Sequence, residues 1–191
     1  MNGNTKKGFL IDMNKQPVSV RSYKRKYSLK ELYRIFVHVP RAIAVLGKNK
    51  RVALVDKQTI ERIMLAVTEV NGCAACSYAH TRMALKEGLS TQEIASFLQG
   101  DGVYVKDEEA QAIMFAQHLA DSRGCPDQEA FKALEAHYGI QRAEVFLSAA
   151  QVIMAGNAYG LPFSALASRL KGRPYLDSSL AYEVLLLVGG A

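Results

Sequence analysis

Residues 71–80 read Asn-Gly-Cys-Ala-Ala-Cys-Ser-Tyr-Ala-His, which places Cys73, Cys76 and His80 at i, i+3 and i+7. On a helix those positions share a face, so two thiols and an imidazole line one side of a single element. Cys73 follows the turn-forming dipeptide Asn71-Gly72 and stands at the helix start. A helix N-terminus and a neighbouring imidazole both favour the thiolate, which is the nucleophilic form of cysteine. On that ground alone Cys73 is the favoured nucleophile. Such a thiolate attacks a peroxide oxygen and becomes a sulfenic acid, which a second cysteine within reach condenses to a disulfide. His80, one turn beyond Cys76, has the chemistry of a base that collects and returns protons.

Two other chemistries fit the same residues. Cys73, Cys76 and His80, with Glu61 from the preceding helix, make four candidate zinc ligands. Zinc sites built on cysteine usually draw on a second, distant Cys or His pair, and none is evident. Helical cysteines can also be inert core thiols. A Cys-x-x-Cys pair in a cytosolic protein is commonly redox-active, so the redox reading is preferred.

The elements that must position these residues are helical. Ser28 with Glu31 forms a capping-box pattern, and Leu32, Ile35, Phe36 and Val39 follow at helical spacing. Pro40 ends that helix and can begin a short one ending near Gly47. Asp56 is the expected N-cap of a long helix carrying Glu61 and the stripe Ile60, Ile63, Met64, Val67 and Val70. The next helix spans about Cys73 to Glu87, with Gly88 just past its end. Ser90 and Glu93 read as a second capping box, opening a helix closed by Gly100. Further helices are expected from Asp107 to about Ser122, around Phe131 to Tyr138, from Gln141 to Ala158, and from Ser164 to Leu170 after a kink or restart at Pro162. A last short one covers Leu180–Val188. No segment alternates as a strand would. Roughly eight helices with short connections predict an all-α bundle, and 191 residues suit one domain, here 28–191.

Residues 1–27 carry no sustained period and are expected to form an extended, basic arm. Residues 1–30 hold eight Lys/Arg and one acid, Asp12, a balance of +7; the rest hold 16 basic and 17 acidic side chains, or −1. A basic arm can touch nucleic acid, but no nucleic-acid motif accompanies it. A solvated tail, or a strap over a neighbouring subunit, is the preferred reading. No stretch approaches the roughly 20 apolar residues of a membrane span. The polar N-terminus lacks the apolar core of a signal peptide, which points to a cytoplasmic protein.

The spacing Glu61, eleven residues, Cys73-x-x-Cys76, three residues, His80 resembles the alkylhydroperoxidase AhpD-like family, within the carboxymuconolactone decarboxylase superfamily. Neighbouring words agree: Asn71-Gly72 before the pair, Ala79-His80-Thr81 after it, then Ala84, Gly88-Leu89-Ser90 and Glu93-Ile94. The clear resemblance covers about residues 40–120. It implies an all-helical fold, a homo-oligomer (a trimer or hexamer), and reduction of hydrogen peroxide or organic hydroperoxides. It further implies that Cys76 is the peroxide-attacking thiol and that Cys73 resolves it to a disulfide. Glu61 and His80 would form the proton relay. That assignment is followed here over the one favoured by the helix start. Better-known members carry a further histidine between the cysteines, where this chain has Ala74 and Ala75. Relatives of the decarboxylase type generally lack the cysteine pair. The sequence shows no nucleotide, flavin or haem motif, so no cofactor is expected and the reductant is expected to be a protein or a small dithiol.

The alternatives are a lactone decarboxylase or isomerase using Glu61 and His80 as acid and base, and a non-enzymatic redox sensor or binding oligomer. Tyr78 is expected to be packed, and His38, His118 and His137 to be surface or packed residues. Cys125, in a Gly-Cys-Pro loop, is expected to be a free thiol. Asn157 and Tyr159, beside Gly156 and Gly160, either border the site or mark close helix packing.

Overall fold

The structure is a computed structural model that describes residues 21–189. Nine helices and no strands are found among the described residues. α1 (Leu29–Phe36) opens on the expected capping box: Ser28 Oγ accepts from the Glu31 amide, and Glu31 Oε2 accepts from the Ser28 amide at 2.7 Å. α2 (Val39–Val52) has Pro40 in its first turn, as read.

α2 does not end near Gly47. It runs through that residue and stops at Ala53, which takes a left-handed conformation at φ 51°. The buried Asn49 amide fixes this stop by accepting from the Val55 N–H at 3.0 Å and donating to the Val55 carbonyl at 2.8 Å. A side chain thus supplies the backbone bonds that a glycine cap usually makes easy.

α3 (Lys57–Asn71) starts at Asp56, whose carboxylate accepts from the Thr59 amide at 2.9 Å, and ends at Gly72 with φ 71°. α4 (Ala74–Lys86) and α5 (Thr91–Gln99) follow. The expected second capping box is only half formed. Ser90 Oγ accepts from the Glu93 amide, but the Glu93 carboxylate turns inward to Arg62 at 2.7 Å. The charge of the buried Arg62 outweighs one exposed cap bond.

α6 (Asp107–Asp121) and α7 (Gln128–Tyr138) lead into α8 (Ile140–Leu170). α8 is one 31-residue helix with Pro162 inside it, so the expected break is absent. Burial accounts for this: Ala158, Leu161, Pro162 and Ala165 are all buried, and neighbours hold the helix on both sides of the proline. α8 is apolar nearly all round and packs against α1, α2, α3, α4, α6, α7 and α9 (Leu180–Gly189), as a central helix must. α3 lies beside it, between α4, α5 and α6. No helix among the described residues is long and apolar enough to cross a membrane.

Residues 21–27 pack on their own chain and are not a solvated tail. Tyr23 sits against Tyr175 and Tyr182 with ring centroids 5.1 and 5.8 Å away. The buried Tyr27 hydroxyl donates to Asn71 Oδ1 at 2.7 Å. The arm expected for residues 1–20 lies outside the described residues.

Candidate active site

The site is built where α3 ends and α4 begins. The left-handed Gly72 turns the chain so that Cys73 becomes the N-cap of α4, its Sγ accepting from the Cys76 amide at 3.3 Å. Cys73 and Cys76 are joined as a disulfide, with Cα atoms 5.3 Å apart. Cys73 is wholly buried and Cys76 is 8% exposed, so Cys76 is the more accessible residue of the two.

His80 lies one turn further along α4. Its Nδ1 is 2.9 Å from Oε2 of Glu61, which reaches across from α3. Both side chains are largely buried. A carboxylate at Nδ1 fixes the imidazole so that Nδ1 carries hydrogen, leaving the Nε2 lone pair to exchange protons. The four residues picked from the sequence are therefore carried on two adjacent helices, with Glu61 and His80 in direct contact. Next to Glu61, Arg62 ties α3 to its neighbours, bonded to Glu93 at 2.7 Å and Glu109 at 2.9 Å, with Thr59 donating to the same Glu109 oxygen.

α8 closes the site from behind. The Gly156 carbonyl oxygen lies 3.5 Å from Cys76 Sγ. At Gly160 there is no room for a side chain: a Cβ there would stand 2.7 Å from both sulfurs. Asn157 is fully buried and accepts from Thr68 Oγ1 at 3.2 Å. The Nδ2 atoms of Asn157 and Asn71 have no protein partner among the described residues. Of the two readings the sequence leaves open here, site border or close helix packing, Gly160 meets both, since its backbone lies against the sulfurs; nothing local in the sequence links α8 to α4.

Other residues lie apart from this centre. Tyr78 is 53% exposed, under the Arg82 guanidinium at 6.0 Å, and is not packed as expected, because its position on α4 faces away from α3 and α8. His38 is the N-cap residue of α2, His118 Nε2 accepts from the Asp127 amide at 3.1 Å, and His137 sits edge-on to Tyr138. Cys125 is a free, exposed thiol beside Arg34, as read. A cleft of about 500 Å³ between α2 and α8, lined by Val45, Val52, Leu54 and Val145, includes none of the four site residues.

The fold is all-α among the described residues and holds a carboxylate of α3 against an imidazole of α4. Residues 39–118, from α2 into α6, match the Carboxymuconolactone decarboxylase family, which includes AhpD-like proteins. That match bears out the resemblance read from the motif and covers all four site residues. No curated protein matches the chain.

Proposed function

We propose that the protein is a thiol peroxidase that cycles through the Cys73–Cys76 disulfide. The observation that carries this reading is a bonded cysteine pair at the start of α4 with His80 one turn further along the same helix, its Nδ1 2.9 Å from the Glu61 carboxylate of α3. Cys76, the more exposed cysteine of the two, attacks the terminal peroxide oxygen as thiolate. The O–O bond breaks, the alcohol or water departs with a proton delivered from His80, and Cys76 is left as a sulfenic acid. Cys73 then attacks that sulfur. Its own proton passes through His80 to the hydroxyl of the sulfenic acid, which leaves as water. An external dithiol, on a protein or a small molecule, attacks Cys76 in turn; Cys73 departs as a thiolate stabilised by the Cys76 amide and the start of α4. The dithiol leaves oxidised and the cysteines return reduced.

Glu61 acts on the imidazole and not on the sulfurs. Large exposed apolar side chains, among them Tyr33, Met114, Leu170 and Leu176, support assembly into the homo-oligomer, trimer or hexamer, that the family resemblance suggests. The test is turnover of hydrogen peroxide or an organic hydroperoxide with a dithiol reductant. Cys76→Ser should abolish it, and full turnover by that variant would exclude the mechanism.

A second reading has one observation in its favour. The Glu61–His80 pair is a complete proton-transfer unit without the sulfurs, as a decarboxylase- or isomerase-type enzyme of this family requires. Activity on a lactone or carbon acid that survives replacement of both cysteines would select it.

A further inference from the structure

We propose that Gly160 is a positioning residue of the redox pair: the bare backbone of α8 at this point is the seat on which both sulfurs rest, and it sets the disulfide–dithiol balance. The inference rests on the reading that Cys73 and Cys76 cycle between those two states.

Gly160 lies in the interior of a 31-residue helix and is not among the glycines with positive φ. Its backbone conformation is therefore open to any residue. Glycine there makes the helix less stable than alanine would. The reason for its presence is spatial. A Cβ at this position would meet Cys73 Sγ and Cys76 Sγ at 2.7 Å each, far inside the roughly 3.5–4.0 Å at which non-bonded heavy atoms pack. Gly156, one turn earlier, is different: a Cβ there meets only Ile153 Cδ1, at 3.8 Å. The Gly156 carbonyl, 3.5 Å from Cys76 Sγ, would be unchanged by a side chain.

The two redox states respond differently to crowding at this seat. In the disulfide each sulfur is tied to the other, so neither can swing away from α8. In the dithiol each cysteine has its own χ1 freedom and can rotate clear. A methyl group at position 160 therefore strains the disulfide more than the dithiol. It moves the equilibrium between protein disulfide plus reduced dithiol and protein dithiol plus oxidised dithiol toward the reduced protein.

The experiment equilibrates the full chain in mixtures of reduced and oxidised dithiothreitol, followed by alkylation and mass mapping of Cys73 and Cys76. Gly160→Ala should shift the equilibrium toward the dithiol by about tenfold or more, which is about 30 mV for a two-electron couple. Gly156→Ala should match the wild type. An unchanged equilibrium in Gly160→Ala, or an equal shift in Gly156→Ala, overturns the inference. Should Gly160→Ala fail to fold, it is added to the Cys73→Ala/Cys76→Ala chain, which has no Sγ atoms. There it should cause no loss of thermal stability, and a loss would overturn the proposal. A wild-type chain that forms no Cys73–Cys76 disulfide in any mixture overturns both this inference and the peroxidase reading. A wild type that forms it while Gly160→Ala behaves identically overturns this inference alone.

Discussion

Glu61 Oε2 and His80 Nδ1 stand 2.9 Å apart, and this contact ties the orientation of the imidazole on α4 to a carboxylate on α3. Its consequence is kinetic. Glu61→Gln keeps the size of the side chain and removes the charge that steadies the imidazole as it takes up a proton. Peroxide turnover should fall by about 10²-fold or more, within the usual range for a general acid–base contribution, while the thermal midpoint changes little. Turnover equal to wild type would remove Glu61 from the relay.

Arg62 anchors the helix that carries Glu61. It is 3% exposed and bonded to two carboxylates, Glu93 and Glu109. Arg62→Ala would leave the buried Glu109 and the partly buried Glu93 without their cation. The expected loss is about 3–5 kcal/mol in urea unfolding, the magnitude for removing one partner of a buried pair. Lys132→Ala, at an exposed pair with Glu129, should cost less than about 1 kcal/mol.

Alkaline titration should report the docking of residues 21–27. Burial pushes the Tyr23 and Tyr27 phenols from 10.0 up to about 12. Above pH 10 the unfolded chain loses these protons while the folded chain keeps them, so stability falls as pH rises from about 10 to about 12. Below pH 10 the contribution is fully present. Tyr27→Phe should flatten the slope and also leave Asn71 Oδ1 without its donor, costing about 1–3 kcal/mol at neutral pH. Denaturant midpoints measured across pH 8–12 provide the check.

Acid should release α9. Arg169 makes a two-pronged contact with the fully buried Glu183, at 2.9 Å to each oxygen, and Ser178 adds a third bond. The Arg169 hydrogen bonds hold the Glu183 carboxyl below its ordinary value, against the effect of burial. A depressed folded pKa means the stabilisation is present above the unfolded glutamate value, near pH 4.3, and is lost as pH falls through the lower folded value. Glu183→Gln should weaken this acid dependence, seen as a smaller drop in thermal midpoint between pH 5 and pH 3.

The local signals read from the sequence reached the helix starts well. Ser28 and Asp56 cap helices where their types and positions predict, and Cys73 stands at the helix start that the Asn71-Gly72 turn predicts. Helix ends are less legible, because glycine and proline predict breaks that packing overrides. Gly47 lies within α2, and the real stop at Ala53 depends on Asn49 folding back to Val55. Pro162 is carried inside α8 by burial on both sides. The same limit applies to the site. Cys73, Cys76 and His80 lie within one helical stretch and share a face by spacing alone, and Glu61 was found through the family pattern. The seat at Gly160 is a contact between distant segments, and only the packing of α8 on α4 reveals it.

The most direct test counts thiols in the full chain before and after one equivalent of peroxide, with mass mapping of any linkage. Three reactive cysteines should become one: Cys73 and Cys76 joined to each other, and Cys125 still free. Three thiols surviving peroxide, zinc retained on the cysteine pair, or a linkage that runs through Cys125 would contradict the account.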